Sequence, residues 1–274
     1  MERIYTIGIT DASPITNDKL FGGFTPFVSS CTKKRTDPKE VFAQAKSIIV
    51  VLVPYACETY FSNLSSLGVC DDYHEIVKGI LKNEANILTK TFPSLEYKIF
   101  VDSPNLCERS LAVRAGLCFF GKNNLCISPK YGSRFNIGLL LTNLYAEKFN
   151  ITTDYVTDSC PDECDLCIKA CPNGAIKEGE PLNVHRCISY LTQKDELDSG
   201  EKKLLHGQLF GCDICQTVCP KNLKHLLFYA CPAEVVKLND DKLYSLFKRT
   251  AMSWKLKLFK RNAGIIHDAK ELIN

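Results

Sequence analysis

Of the fifteen cysteines in the chain, six fall into two matching runs, Cys164-x-x-Cys167-x-x-x-Cys171-Pro172 and Cys212-x-x-Cys215-x-x-x-Cys219-Pro220. This is the bacterial ferredoxin spacing, in which three close thiolates ligate one four-iron cluster and the last cysteine of each run ligates the other. Cys160 supplies the missing first ligand of the first run, at a separation one residue longer than usual that a loop can absorb. The second run has no cysteine just upstream, and Cys187 is the remote substitute. Exchanging the last cysteines gives one cluster on Cys160, Cys164, Cys167 and Cys219 and another on Cys171, Cys187, Cys212 and Cys215. Zinc on two Cys-x-x-Cys pairs would use four thiolates and leave Cys160, Cys171, Cys187 and Cys219 unexplained. Cys31, Cys57, Cys70, Cys107, Cys118, Cys126 and Cys231 are scattered singly and read as small packing residues.

The compartment follows from the same cysteines. Met1-Glu2-Arg3-Ile4-Tyr5 has neither the basic stretch nor the apolar run of a signal peptide, and the strongest apolar run, Ile48 to Val53, is far too short to span a bilayer. The expectation is a cytoplasmic protein with no membrane partner, whose cysteines are metal ligands or thiols and not disulfides. The formal net charge is +3. Eight thiolates and two oxidised clusters would move it to about −1, so overall charge does not select a nucleic-acid partner.

Two adjacent clusters form an electron relay and need an acceptor. A ferredoxin alone needs only about sixty residues, yet a long segment precedes the clusters, and its elements are legible. Residues 3–9 alternate weakly and 47–53 are continuously apolar, indicating an early strand and a fully buried one. Asp37-Pro38 reads as a helix start. Asp72 caps a helix whose apolar positions are Ile76, Val77, Ile80, Ile87 and Leu88. A strand over 96–102 ends at Asp102, a helix carrying Leu106, Leu111, Val113 and Ala115 stops at Gly116, and another strand covers 135–142. The expected organisation is residues 1–150 as an α/β domain, 151–225 as the double-cluster module and 226–274 as a C-terminal helical segment bearing Lys255, Lys257, Lys260 and Arg261. Each proline after a run's final cysteine should end the local helix.

Gly116-x-x-x-x-Gly121-Lys122 imitates a phosphate-binding loop, but Asn123 stands where Ser or Thr must hold magnesium, and a helix precedes it in place of a strand. A nucleotide site is rejected there. Asp72-Tyr73-His74, Val101-Asp102-Ser103, Glu108-Arg109, Arg114-Ala115-Gly116-Leu117, Phe120-Gly121-Lys122-Asn123 and Gly132-Ser133 nevertheless form an ordered set. With Cys187-Ile188-Ser189-Tyr190-Leu191-Thr192, Gly211-Cys212-Asp213 and Arg261-Asn262-Ala263, the chain resembles the epoxyqueuosine reductase family from about residue 4 to its end.

The resemblance implies an α+β fold, a nitroreductase-like cobalamin-binding domain followed by a ferredoxin-like double-cluster module and C-terminal helices. It implies two 4Fe-4S clusters that pass electrons singly to cobalamin. The epoxide of epoxyqueuosine, at the wobble position of queuosine-family tRNA, is then reduced with two electrons and two protons. Asp102 matches the acid that protonates the epoxide oxygen, and burial above the corrin would raise its pKa. Tyr73, His74, Arg109, Lys122, Ser133 and Tyr190 fall in stretches that line the cofactor and substrate cavity. No histidine stands in a cobalt-ligating motif, so cobalt is expected to lack a protein histidine ligand. An electron donor such as ferredoxin or flavodoxin is implied. The chain departs from the family at Pro104-Asn105, at Arg134, Asn136 and Leu139, and in having no helical repeat domain after Ala263, which bears on RNA recognition more than on redox chemistry. Two other readings are a related cobalamin reductase acting on another epoxide or a halogenated compound, and a non-catalytic double-cluster electron carrier.

Overall fold

The computed structural model describes residues 4–15, 35–55, 63–103, 105–153, 155–222 and 239–271. Cys31, Cys57, Cys231 and Pro104 lie outside them. The chain divides into two compact units, one of the described residues up to Pro54 with His74–Asp162, the other of the described residues from Tyr55 to Tyr73 and from Glu163 onward.

The first unit is an antiparallel sheet between helices. Strands β1 (Thr6–Asp11), β2 (Ser47–Pro54), β3 (Tyr97–Val101) and β6 (Phe135–Thr142) lie in the order β1-β2-β6-β3. A hairpin of β4 (Phe119–Phe120) and β5 (Cys126–Ile127) stands apart. The central strands β2 and β6 are buried along nearly their whole length because both faces of the sheet are covered. Ile48, Val50 and Leu52, with Leu139 and Leu141, pack on Leu111, Ala112 and Ala115 of the α3 region (helix α3, Glu108–Arg114). The register pairs Val51 with Gly138, and a Cβ at Gly138 would stand 2.5 Å from Val77 and 2.9 Å from Leu81. Those two residues belong to the long helix α2 (Tyr73–Thr91), which follows the short α1 (Ser66–Val69). Only glycine lets α2 approach that closely.

The expected strands therefore form, and Asp37 caps a short 3-10 turn, Pro38–Glu40, by accepting the Lys39 N–H. The inward face of α2 differs from the expectation. Val77, Leu81, Glu84 and Ala85 are buried, while Ile76 and Ile87 are about half exposed. Helical periodicity admits either of two neighbouring apolar stripes, and the glycine on β6 selects the one through Val77 and Leu81. Helix α3 ends as expected, with Gly116 at φ 76 in the left-handed region.

The second unit carries short helices α4 (Leu166–Ala170), α5 (Ile188–Leu191), α6 (Ser199–Lys203) and α7 (Ile214–Thr217), then α8 (Asp240–Phe247) and α9 (Leu256–Glu271). Its apolar core joins Leu64, Leu209 and Phe210 to Leu243, Phe247, Met252, Phe259 and Ala263. The last helices are thus packed against the same core as the chain around Leu209. Among the described residues no helix is long and apolar enough to cross a membrane.

Candidate redox and carboxyl sites

In the second unit the middle cysteine of each run stands on a short helix, Cys167 on α4 and Cys215 on α7, and the two helices contact each other. Each helix is a single turn or little more, with Cys164 and Cys212 just before it and Cys171 and Cys219 after it. Cys171 lies at the C-terminal cap of α4, where its sulfur accepts the Ala175 N–H at 3.3 Å. The helix before Pro172 ends there, as expected, whereas Pro220 opens a 3-10 turn, Pro220–Asn222. Proline suits the first position of a helical turn because its missing N–H has no partner to lose.

Cys187 caps α5, and the backbone N–H groups of Ser189 and Tyr190 point at its sulfur. Burial pushes the Cys187 thiol up, with the neighbouring Cys171 adding to the effect. Burial likewise raises Cys212 to about 12, helped by Cys187, Asp213 and Cys171. Cys215 moves up further under burial and the charges of Cys212, Cys187 and Cys167. The structure thus brings Cys171, Cys187, Cys212 and Cys215 into one electrostatic neighbourhood, with Cys167 beside it. Cys167 and Cys219 are buried, and Cys160 and Cys164 are half-buried. Thiols this costly to ionise give up their protons when a cationic cluster takes them. Among the described residues no three His, Cys, Asp or Glu side chains converge closely enough for a single metal ion. A four-iron cluster asks for a different arrangement, one thiolate on each of four irons.

The scaffold around Cys187 is built from backbone carbonyls. Arg261 reaches from α9 to the carbonyls of Leu191 and Thr192 at 3.3 Å each, of Asp195 at 2.9 Å, and of Lys194. Asn262, fully buried, donates to Thr192 O at 2.9 Å and Leu209 O at 2.8 Å. Arg261, grouped in sequence with three lysines as a basic stretch, is therefore a structural clamp. On the other side, Asp213 accepts from the Ser66 N–H at 2.8 Å and the Ser66 hydroxyl at 2.5 Å, while Gln216 donates to its second oxygen at 2.9 Å. Tyr190 stacks edge-on against His185 with ring centres 5.6 Å apart.

The other cysteines divide. Cys107, Cys118 and Cys126 are buried thiols, as expected of packing residues. Cys118 is hydrogen-bonded to Cys126, which with burial pushes its thiol far up. Cys70 is instead disulfide-bonded, contrary to the reading of every such cysteine as a thiol. A disulfide needs proximity in space, which single spacing in sequence does not disclose.

In the first unit Asp102 follows the last residue of β3 and adopts φ 51. Its carboxylate oxygen lies 3.7 Å from Nε2 of His74, in the first turn of α2. The Asp102 side chain is 67% exposed. A buried carboxyl stands close by at Glu108, at the start of α3, where burial pushes the pKa up to about 8. The nearby Asp102 charge adds to that shift, while the Ser103 N–H, His74 and Arg109 oppose it. Sequence could have exposed Glu108 through its place in the Glu108-Arg109 pair, but not the depth of its carboxyl.

Arg109 donates to Asn124 O at 2.7 Å and lies over the Phe120 ring at 5.9 Å. Lys122 donates to Asp162 O at 2.6 Å, and Ser133 is buried. Tyr73 opens α2. Arg114 is consumed by Thr10, Asp11 and Ser13. The stretch mimicking a phosphate loop is a hairpin turn, in which the Gly121 N–H meets Leu125 O and the Asn124 N–H meets Gly121 O, both at 2.8 Å. No helix N-terminus faces outward there to hold a phosphate. Between Lys122 and Ser133, the side-chain NH2 groups of Asn123 and Asn124 and the Tyr131 hydroxyl are buried with no hydrogen-bond partner among the described residues, while Asn123 Oδ1 accepts the Leu125 N–H at 3.2 Å. Orphaned buried donors are costly, each by about 1–3 kcal/mol.

Residues 35–103 match the family model described as Epoxyqueuosine reductase QueG, DUF1730. Residues 159–222 match the 4Fe-4S double cluster binding domain. The chain is 32% identical over 268 residues to the epoxyqueuosine reductase of Leadbetterella byssophila, covering 92% of this chain and 87% of that protein. It is 32% identical over 240 residues to that of Listeria monocytogenes, covering 81% of this chain but only 62% of the longer relative. A solved structure of an epoxyqueuosine reductase with a tRNA-Tyr epoxyqueuosine-modified stem loop is 26% identical with a TM-score of 0.79, covering 95% of this chain and 76% of that one.

Proposed function

Because the chain belongs to the epoxyqueuosine reductase family, we propose that it reduces the epoxide of a tRNA wobble nucleoside to the alkene, queuosine, using two electrons and two protons and releasing the oxygen as water. The observation that carries this reading is the alignment over 87% of the Leadbetterella relative. It is long enough to contain both the Asp102–His74 pair and the eight cysteines assigned to the clusters, the six of the two runs with Cys160 and Cys187. In this proposal the clusters sit on Cys160, Cys164, Cys167 and Cys219, and on Cys171, Cys187, Cys212 and Cys215. Sharing the last cysteines ties the two clusters into one relay.

Cobalamin, when bound, supplies the reducing electrons at the substrate carbon. The orphaned NH2 groups of Asn123 and Asn124 and the Tyr131 hydroxyl fit a cofactor rimmed with amides, and Arg109, Lys122 and Ser133 would hold it from the same unit. Tyr73, His74 and Tyr190 are assigned to it by resemblance. Asp102 delivers a proton to the epoxide oxygen as the carbon–oxygen bond breaks, since a free alkoxide is a poor leaving product at neutral pH. His74 holds the Asp102 carboxyl from 3.7 Å, and its position beside a carboxylate suits it to keep or return that proton. The partners are then a queuosine-family tRNA and a ferredoxin or flavodoxin, in the cytoplasm.

The test uses protein reconstituted with iron, sulfide and cobalamin, an epoxyqueuosine-bearing anticodon stem-loop and a low-potential reductant, with nucleosides analysed by mass spectrometry. Queuosine appearing in step with loss of the epoxide is the expected result. Retention of cobalamin through gel filtration without that product would turn the reading toward a different substrate, and failure to retain it toward an electron carrier.

A further inference from the structure

The end of β3 presents a geometric problem that a neighbouring side chain solves. Asp102 occupies the left-handed region at φ 51, where a residue with a Cβ rarely sits, although aspartate tolerates it better than most. Such a conformation persists only when its surroundings over-determine it. The ladder between β3 and β6 ends at Val101, so the sheet offers the Ser103 N–H nothing. Glu108 Oε1 accepts that N–H at 2.7 Å. The turn is closed further by the Leu106 N–H on Ser103 O at 3.4 Å and the Asn105 N–H on the Ser103 hydroxyl at 3.3 Å. Those two contacts are longer and lie within the turn itself. Glu108 alone of these ties the turn to a helix anchored elsewhere, since α3 packs on β2 and β6.

We propose that Glu108 is a positioning residue for Asp102, its carboxyl holding the Asp102–Ser103 turn against α3 through the Ser103 N–H so that the Asp102 carboxyl stays beside His74. The inference rests on the proposed role of Asp102 only where turnover is the readout. Glu108 touches no reacting atom. Its charge state is set by burial and by the groups facing it, His74 from α2, Asp102 and the Ser103 N–H from the turn, and Arg109 from its own helix. Because burial moves Glu108 to about 8, its ionisation falls within the range where the enzyme can be assayed. Above that pH a second negative charge faces Asp102, while the bond from the Ser103 N–H, which favours the ionised carboxyl, grows stronger.

The experiment compares Glu108→Ala, Glu108→Gln and Glu108→Asp in protein carrying both clusters. The first readout is hydrogen exchange of the segment 101–107. Alanine removes the acceptor and aspartate shortens its reach, so both should speed exchange in this segment by about tenfold or more, the scale of one lost hydrogen bond. Glutamine keeps an oxygen at the same reach and should leave exchange within about threefold. The second readout is turnover on the epoxyqueuosine stem-loop. A displaced acid lowers kcat by up to about a hundredfold with KM unchanged in Glu108→Ala, while Glu108→Gln, which keeps the acceptor, restores kcat. Unchanged exchange in 101–107 for folded Glu108→Ala, or for Glu108→Asp where the alanine variant does not fold, overturns the inference. So does an exchange rate as fast in Glu108→Gln as in Glu108→Ala. Wild-type protein that turns over no epoxyqueuosine would overturn the functional reading instead, and the exchange result would still decide the place of Glu108.

Discussion

The cluster module and the carboxyl site position their groups by opposite means. Six of the eight cluster cysteines are placed by short-range spacing along single-turn helices, each within three or four residues of the next in its run. Asp102, His74 and Glu108 come from the end of a strand, the start of one helix and the start of another. The first arrangement survives as long as the local chain does. The second depends on β3, α2 and α3 keeping their relative places, through packing such as that of Val77 and Leu81 on Gly138. A redox relay can thus be read from a motif, while an acid that must deliver one proton has to be built by the fold.

The comparison is broken most severely at Cys187, a cluster cysteine that stands outside both runs and far from either along the chain, and is placed by tertiary structure like the carboxyl site. Cys187→Ser should reduce iron from about eight to about four per chain and abolish turnover, as measured by iron analysis and the visible spectrum. Iron unchanged in this variant would mean another cysteine is the eighth ligand. Asp102→Asn tests the other region with the relay intact. Both clusters and cobalamin should be retained while turnover falls by about a hundredfold or more, the usual worth of a general acid. Turnover near that of wild type would remove Asp102 from the chemistry.

Arg261→Ala separates placing a ligand from being one. Losing its bonds to the carbonyls of Leu191, Thr192, Lys194 and Asp195 should destabilise the second unit by about 1–3 kcal/mol and make the cluster on Cys187 the first to be lost to a chelator. Equal loss of both clusters would show that the clamp has no special bearing on Cys187. The smallest effect is expected at Lys255 and Lys257. Changing both to Ala should weaken binding of the anticodon stem-loop and lower its salt slope by about one to two, with the clusters untouched. RNA affinity unaltered at every salt concentration would leave them as solvated charges.

A pH-dependent test follows the sign of the Glu108 shift. A carboxyl whose folded pKa is raised keeps its proton in the folded state longer than in the unfolded chain. Its contribution to stability is full below the ordinary carboxyl range and is lost as pH rises toward about 8. Thermal unfolding of the first unit should therefore decline with pH across that window in wild type and less steeply in Glu108→Gln. Parallel curves would place the titrating group elsewhere.

Much of the fold was legible because its signals are local. The continuous apolar run at 47–53 indicated a strand covered on both faces, and Gly116 stopped α3 where a left-handed residue was needed. Which stripe of α2 faces inward was not legible, because Ile76 and Ile87 satisfy the helical period as well as Val77 and Leu81 do. Nor was the role of Arg261, whose charge suggests a phosphate partner while its five guanidinium donors serve the protein's own carbonyls.

By itself the sequence determined the chemistry of the relay, since thiolate spacing within a turn or two is a covalent property of the chain, and the family to which the chain belongs, since ordered motifs persist where function needs them. Tertiary structure alone decided that the buried carboxyl is Glu108 and the exposed one Asp102, that Arg261 clamps the carbonyls of Leu191, Thr192, Lys194 and Asp195, and that Cys70 lies in a disulfide. Each of these depends on which groups meet across the fold and how much water is left between them, quantities that spacing along a chain does not contain.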